Sequence, residues 1–143
     1  MISDTSVFRL EMADDAANPH GVVACVVDDA PKFHLQAFHW FASLTRCAGI
    51  PASELIVFDA SRGPESDVLA HLRERAVRVR KIPPFDARSG HCNKISALAA
   101  AAAETCGVVA FTDCDLVFLS DPRNWLCDPG ALHAKPVDKV RMA

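Results

Sequence analysis

Asp113, Cys114 and Asp115 follow directly on the apolar run Val108-Val109-Ala110-Phe111, so two carboxylates one residue apart stand where a buried strand would end. Ligand sites of open α/β sheets lie beyond the carboxyl ends of their strands. Alternation along an extended chain would aim both acids to one side, and carboxylate oxygens are the ligands that Mg²⁺ or Mn²⁺ takes beside substrate phosphates. An ordinary strand end also carries aspartates, because they make local turns. What favours a cation is the neighbourhood: Leu116-Val117-Phe118-Leu119 resumes the apolar stretch. Two charges set inside a hydrophobic segment cost free energy unless a cation or hydrogen bonds offset it. The expected chemistry is a divalent metal shared with a diphosphate.

Asn93 and Lys94 open the predicted helix just before that strand, where exposed backbone N–H groups and an ammonium would hold a phosphate. Taken alone they read as an N-cap and a surface lysine. Asp28 and Asp29 close an earlier apolar run and would accept hydrogen bonds from a base or ribose, although a strand-to-helix turn explains them equally well. His34 and His39 are five apart, do not share a face as an i, i+4 metal pair would, and read as packing or surface residues. Arg73, Arg75, Arg78, Arg80 and Lys81 form the one basic cluster; a solvated helix end and strand face is the first reading, an anionic membrane surface the second. No Gly-x-Gly-x-x-Gly follows the first strand and no Gly-x-x-x-x-Gly-Lys-Ser/Thr is present, which argues against a dinucleotide fold and a P-loop enzyme.

The elements that must position these residues alternate. Val22 to Val27 reads as a strand buried on both faces, closed by Asp28-Asp29 and the breaker Pro31. Apolar residues at helical spacing follow from Lys32 to Ala48, and Glu54 to Phe58 gives a second strand ending at Asp59. A short helix from Glu65 to about Arg75 leads into a half-exposed third strand at Val77 to Arg80. Pro83-Pro84 breaks the chain, a helix runs from Lys94 to about Thr105, and Val108 to Thr112 forms strand four. Strands alternating with helices predict an α/β fold with a doubly wound parallel sheet, preceded by a polar lead-in over residues 1–20.

Bulk properties set the frame. Of 143 residues, 50% are hydrophobic and 23% charged, enough for one domain with its own core and too apolar for disorder. A net charge of -3 leaves no basic footprint for nucleic acid. No run reaches the ~18 apolar residues of a membrane span. Residues 1–20 carry Asp4, Glu11, Asp14 and Asp15 against Arg9 and lack a secretory apolar core, so a cytoplasmic location is the expectation. Six cysteines, at 25, 47, 92, 106, 114 and 127, make no Cys-x-x-Cys pair and read mostly as buried reduced side chains.

The stretch Asn93-Lys94-Ile95-Ser96-Ala97-Leu98, a helix, and then Val109-Ala110-Phe111-Thr112-Asp113-Cys114-Asp115 continuing through Leu119 to Asp121-Pro122 resembles the sugar-nucleotide-binding half of GT-A glycosyltransferases, glycogenin-like ones especially. Val27, Asp28 and Asp29 fall where that family's first strand meets the nucleotide base, and Ala134-Lys135-Pro136-Val137-Asp138 is similar to a segment of bacterial members. The resemblance covers about Gly21 to Asp138. It implies a Rossmann-like sheet of GT-A type over residues 21–143, with Asp113 and Asp115 holding Mn²⁺ or Mg²⁺ against the diphosphate of a nucleotide sugar. Lys94 would neutralise a phosphate, Asn93 and Thr112 would join the donor site, and an acceptor would receive the sugar. The cation would stabilise charge on the leaving nucleoside diphosphate.

Two features depart from the family pattern. Cys114 fills a middle position where a small residue is usual, and only residues 116–143 follow the motif where the family continues into an acceptor-binding half. The expectation is therefore a partial domain, with poorly covered apolar surface near the motif and a tendency to self-associate. Two alternatives stand beside the transferase: a non-catalytic nucleotide-sugar-binding remnant, and a haloacid-dehalogenase-type phosphatase with Asp113 as nucleophile and Asp115 as acid/base. The phosphatase family carries its motif on the first strand.

Overall fold

Val22–Val27 forms β1, and Leu55–Asp59, Arg78–Lys81 and Val109–Phe111 form β2, β3 and β4. The computed structural model describes residues 21–86, 88–104 and 107–125, the Trp125 side chain excepted; the polar lead-in, the segment Ala134 to Asp138, Cys106 and Cys127 lie outside these residues. All pairings are parallel and the strand order is β3-β2-β1-β4. Registers run Val23 to Leu55 on one side of β1 and Val22 to Val109 on the other.

The period of two along β1 divides its side chains between two cores. Val23, Cys25 and Val27 pack with Trp40 and Leu44 of the helix α1 (Pro31–Arg46) and with Leu69 and Leu72 of α2 (Asp67–Glu74). Val22 and Ala24 face the other way, onto Ile56, Phe58 and the small residues Ala97 and Ala101 of α3 (Asn93–Glu104). Helices therefore cover both faces, as a parallel sheet with apolar strands requires. Each large aliphatic side chain buried in this way contributes about 1.5–3 kcal/mol. The alanine run of α3 permits close approach to the sheet while leaving Ile95 and Leu98 exposed.

Pro31 is the first residue of α1 rather than a breaker before it: its missing N–H is one that a first helical turn leaves unpaired in any case. Ser66 caps α2, accepting from Leu69 N–H at 3.3 Å, so that helix begins two residues later than the acidic Glu65 suggested. Glu54 belongs to a single 3₁₀ turn ahead of β2.

The larger departure concerns the chain after β4. The strand stops at Phe111 and residues 114–115 form a turn, so the two acids do not alternate along an extended strand. Leu116, Val117 and Leu119 are exposed, Leu119 at 82%, and only Phe118 of that apolar group enters the core. There Phe118 N–H donates to Ser43 Oγ of α1 at 3.1 Å. Among the described residues, no helix is long and apolar enough to cross a membrane.

Candidate functional site

β1 and β4 lie side by side, and Thr112 N–H donates to the Ala24 carbonyl at 2.9 Å, continuing their ladder one residue past β4. From β1 the chain passes through α1 to β2 on one side, whereas β4 returns to the other. The point between β1 and β4 is thus where the winding reverses, and a crevice opens beyond the carboxyl ends of the two strands. A cleft of about 360 Å³ occupies it.

Three parts of the chain line this cleft. Val27 and Asp28 come from the end of β1, with Phe33 from the first turn of α1. Asn93 and Lys94 come from the start of α3, preceded by Gly90 and His91. Asp113, Cys114 and Asp115 come from the turn after β4. Six of the residues expected from the sequence thus meet here, Val27, Asp28, Asn93, Lys94, Asp113 and Asp115, with Cys114 between the acids. Gly90, His91, Val26 and Phe33 were missed, although the polar stretch Ser89 to Asn93 between a Pro-Pro break and a helix was a visible signal for the first two.

The individual roles differ from those expected. Asp28 Oδ1 accepts from Ala30 N–H at 2.9 Å, a local turn that leaves Oδ2 facing the Gly90 segment. Asp29 is exposed, does not line the cleft, and accepts from Arg62 N–H at 2.7 Å. Thr112 also stays out of the cleft, because its hydroxyl accepts the indole N–H of the buried Trp40 at 2.8 Å. Asn93 does not present a free helix N-terminus. A 3₁₀ turn over Gly90–Cys92 runs into α3, Asn93 N–H bonds to the Gly90 carbonyl, and the buried Asn93 side chain accepts from Phe85 N–H at 3.0 Å. Of the expected open N–H groups, that of Asn93 is therefore already used.

Lys94 does reach the acids, forming an ion pair with Asp113 in which both partners are about half exposed. His34, expected at the surface or in packing, is buried and bonded through both ring nitrogens. The basic cluster is largely paired: Arg73 with Glu65, Arg80 with Glu104, and Lys81 with the buried Asp59. These pairs take up three of its five charges.

The electrostatics of the cleft are negative. Three carboxylates, Asp28, Asp113 and Asp115, face one ammonium. The Cys114 thiol registers them, being pushed up to about 11 by burial first, then by Asp115, with Asp113 and Asp28 adding to it. Burial and these carboxylates thus favour the neutral thiol of Cys114 near neutral pH.

Among the described residues, no three His, Cys, Asp or Glu side chains are grouped to hold a metal ion. The described residues do not form a complete cage. Asp113 and Asp115 still fit a hard cation of the kind that binds through one or two carboxylates and takes its other ligands from phosphate and water. The Lys94 ammonium on Asp113 shows that this carboxylate accepts a positive partner at the cleft. Comparison of the chain with protein-family models, with curated proteins and with solved structures gives no match.

Proposed function

We propose that the cleft binds the diphosphate of a nucleotide sugar together with Mn²⁺ or Mg²⁺, and that the protein acts as a metal-dependent glycosyltransferase domain of GT-A type. The observation that carries this reading is that Asp28 and the pair Asp113 and Asp115, supplied by adjacent parallel strands, line one cleft at the reversal of the sheet. An excess of carboxylates over ammonium there repels a bare diphosphate, so an anionic ligand needs a divalent partner to enter. Asp113 and Asp115 would hold that ion, which when bound offsets charge on a leaving nucleoside diphosphate.

The chain's own groups would divide the remaining work. Lys94, on the first turn of α3, exchanges Asp113 for a phosphate oxygen. Val27 and Phe33 offer apolar surface suited to a ring, and the Asp28 carboxylate beside them would accept from a ribose hydroxyl. Binding of a donor without transfer rests on the same residues, and turnover of the nucleotide sugar separates the two outcomes. The phosphatase alternative fits less well, since Asp113 follows β4, whereas β1 is followed by the adjacent acids Asp28 and Asp29.

Titration calorimetry with uridine and guanosine diphosphates, in Mn²⁺, Mg²⁺ or EDTA, tests the reading. Binding in a metal and its loss in EDTA are expected. Equal affinity in EDTA would remove the metal from the site, and no binding of either nucleotide would remove the function.

A further inference from the structure

We infer that His34 is a positioning residue for this cleft, holding Asp28 in place from behind; the inference rests on the reading of Asp28 as a ligand-facing group. His34 lies in the first turn of α1 and is 7% exposed, so its ring nitrogens must find partners within the protein. Nε2 is 2.6 Å from the Asp28 carbonyl oxygen and Nδ1 is 2.6 Å from Ser66 Oγ. A carbonyl only accepts, so Nε2 carries the proton. Ser66 Oγ already accepts from Leu69 N–H, and its own hydroxyl proton is the one that satisfies Nδ1. The chain of donors therefore runs in one direction, from α2 through Ser66 and His34 to Asp28.

This arrangement does more than fill the core. Asp28 is held at two points: its carbonyl by His34 and its Oδ1 by Ala30 N–H at 2.9 Å. With both fixed, the remaining oxygen has one direction, toward Gly90 and the cleft. Asp29 is tied in the same sense, to Arg62 N–H on the β2–α2 connection. The β1–α1 turn is thus braced against the start of α2 by side chains far apart in sequence, and His34 is the member that touches the ligand-facing residue itself. A leucine at position 34 preserves apolar bulk and removes both bonds, while glutamine retains a donor for the Asp28 carbonyl.

The test uses the full chain. Nitrogen-15 spectra of the histidines report the tautomer, amide exchange at Ala30 reports the Asp28 carboxylate, and calorimetry with Mn²⁺ and uridine diphosphate reports the cleft. We expect the Nε2–H tautomer, faster Ala30 exchange in His34→Leu, about tenfold weaker nucleotide binding in that variant from the lost hydrogen bond, and recovery of both in His34→Gln. An Nδ1–H tautomer, or His34→Leu binding as wild type does, or His34→Gln binding as weakly as His34→Leu, would overturn the assignment. If wild type itself fails to bind the nucleotide, the reading of the cleft falls; Ala30 exchange then decides the positioning role alone, supported by acceleration in His34→Leu and restoration in His34→Gln, and overturned by unchanged rates. If His34→Leu does not fold, the wild-type tautomer and the Ala30 exchange of His34→Gln decide it, an Nδ1–H tautomer or fast exchange again counting against.

Discussion

A β-carbon placed on Gly90 would stand 2.7 Å from Asp28 Oδ2. The two loops that frame the cleft mouth, one after β1 and one before α3, thus meet at a carboxylate oxygen and a residue without a side chain. Since Asp28 Oδ1 is bonded to Ala30 N–H, the carboxylate cannot swing aside without giving up that bond.

Gly90→Ala follows from this contact. Overpacking of this kind costs about 1–3 kcal/mol where the surroundings cannot yield, and here the part that yields is the Asp28 carboxylate. We expect weaker Mn²⁺-dependent nucleotide binding, by about tenfold, with a melting temperature close to wild type. Calorimetry beside thermal unfolding checks it. Unchanged binding would show that Asp28 does not face the ligand.

Asp113→Asn and Asp115→Asn should each weaken metal-dependent nucleotide binding by at least about tenfold, since each removes a charge that acts on the cation rather than on packing. Both residues are exposed, so stability should change little. The Lys94 pair lost in Asp113→Asn is a surface pair worth about 1 kcal/mol or less. Titration of each variant with Mn²⁺ and nucleotide measures this, and wild-type affinity in both would make the aspartates turn residues only.

The strands were legible because β1 and β2 are buried on both faces and carry unbroken apolar runs, Val22 to Val27 and Leu55 to Phe58. The same signal misled after Phe111. Leu116 to Leu119 has the composition of a strand, yet residues 114–115 turn and three of the four apolar side chains stay exposed, a choice set by where Phe118 finds Ser43 on α1. His34 was opaque for a related reason: its partners depend on α1 and α2 packing on one face of the sheet, which no local pattern encodes. Asn93 reads equally as a cap or a buried acceptor until the 3₁₀ turn before it is known.

Thr112→Val tests the reassignment of a residue expected in the donor site. Trp40 is fully buried, and without the hydroxyl its indole N–H has lost its 2.8 Å acceptor. Leaving such a donor unpaired costs about 1–3 kcal/mol. Chemical denaturation should show that loss, Thr112→Ser should recover most of it, and nucleotide affinity of the folded protein should remain near wild type because Thr112 does not line the cleft. A stable Thr112→Val with impaired binding would return Thr112 to the ligand site.

Arg123 sits at the other end of the sheet and holds it closed. Its guanidinium, 10% exposed, donates to both carboxylate oxygens of Asp121, to Glu54 Oε2 at 2.5 Å ahead of β2, and to the Gly21 carbonyl at 2.9 Å ahead of β1. Hydrogen bonds to Asp121, then Glu54, hold its protonated form more firmly than in free arginine. One side chain thereby ties the segment after the acidic turn to the amino ends of two strands. Arg123→Met leaves the mostly buried Glu54 carboxylate and the Gly21 carbonyl without this donor, a loss of about 2–3 kcal/mol after allowing for partial solvent access. Glu54→Gln should cost less, because an amide oxygen still accepts. In a double-mutant cycle by urea unfolding, Arg123→Met combined with Glu54→Leu should destabilise by less than the two changes added, since the second removes the carboxylate that the first strands. Additive losses would mean that the pair is uncoupled and that the clamp acts through Gly21 and Asp121 alone.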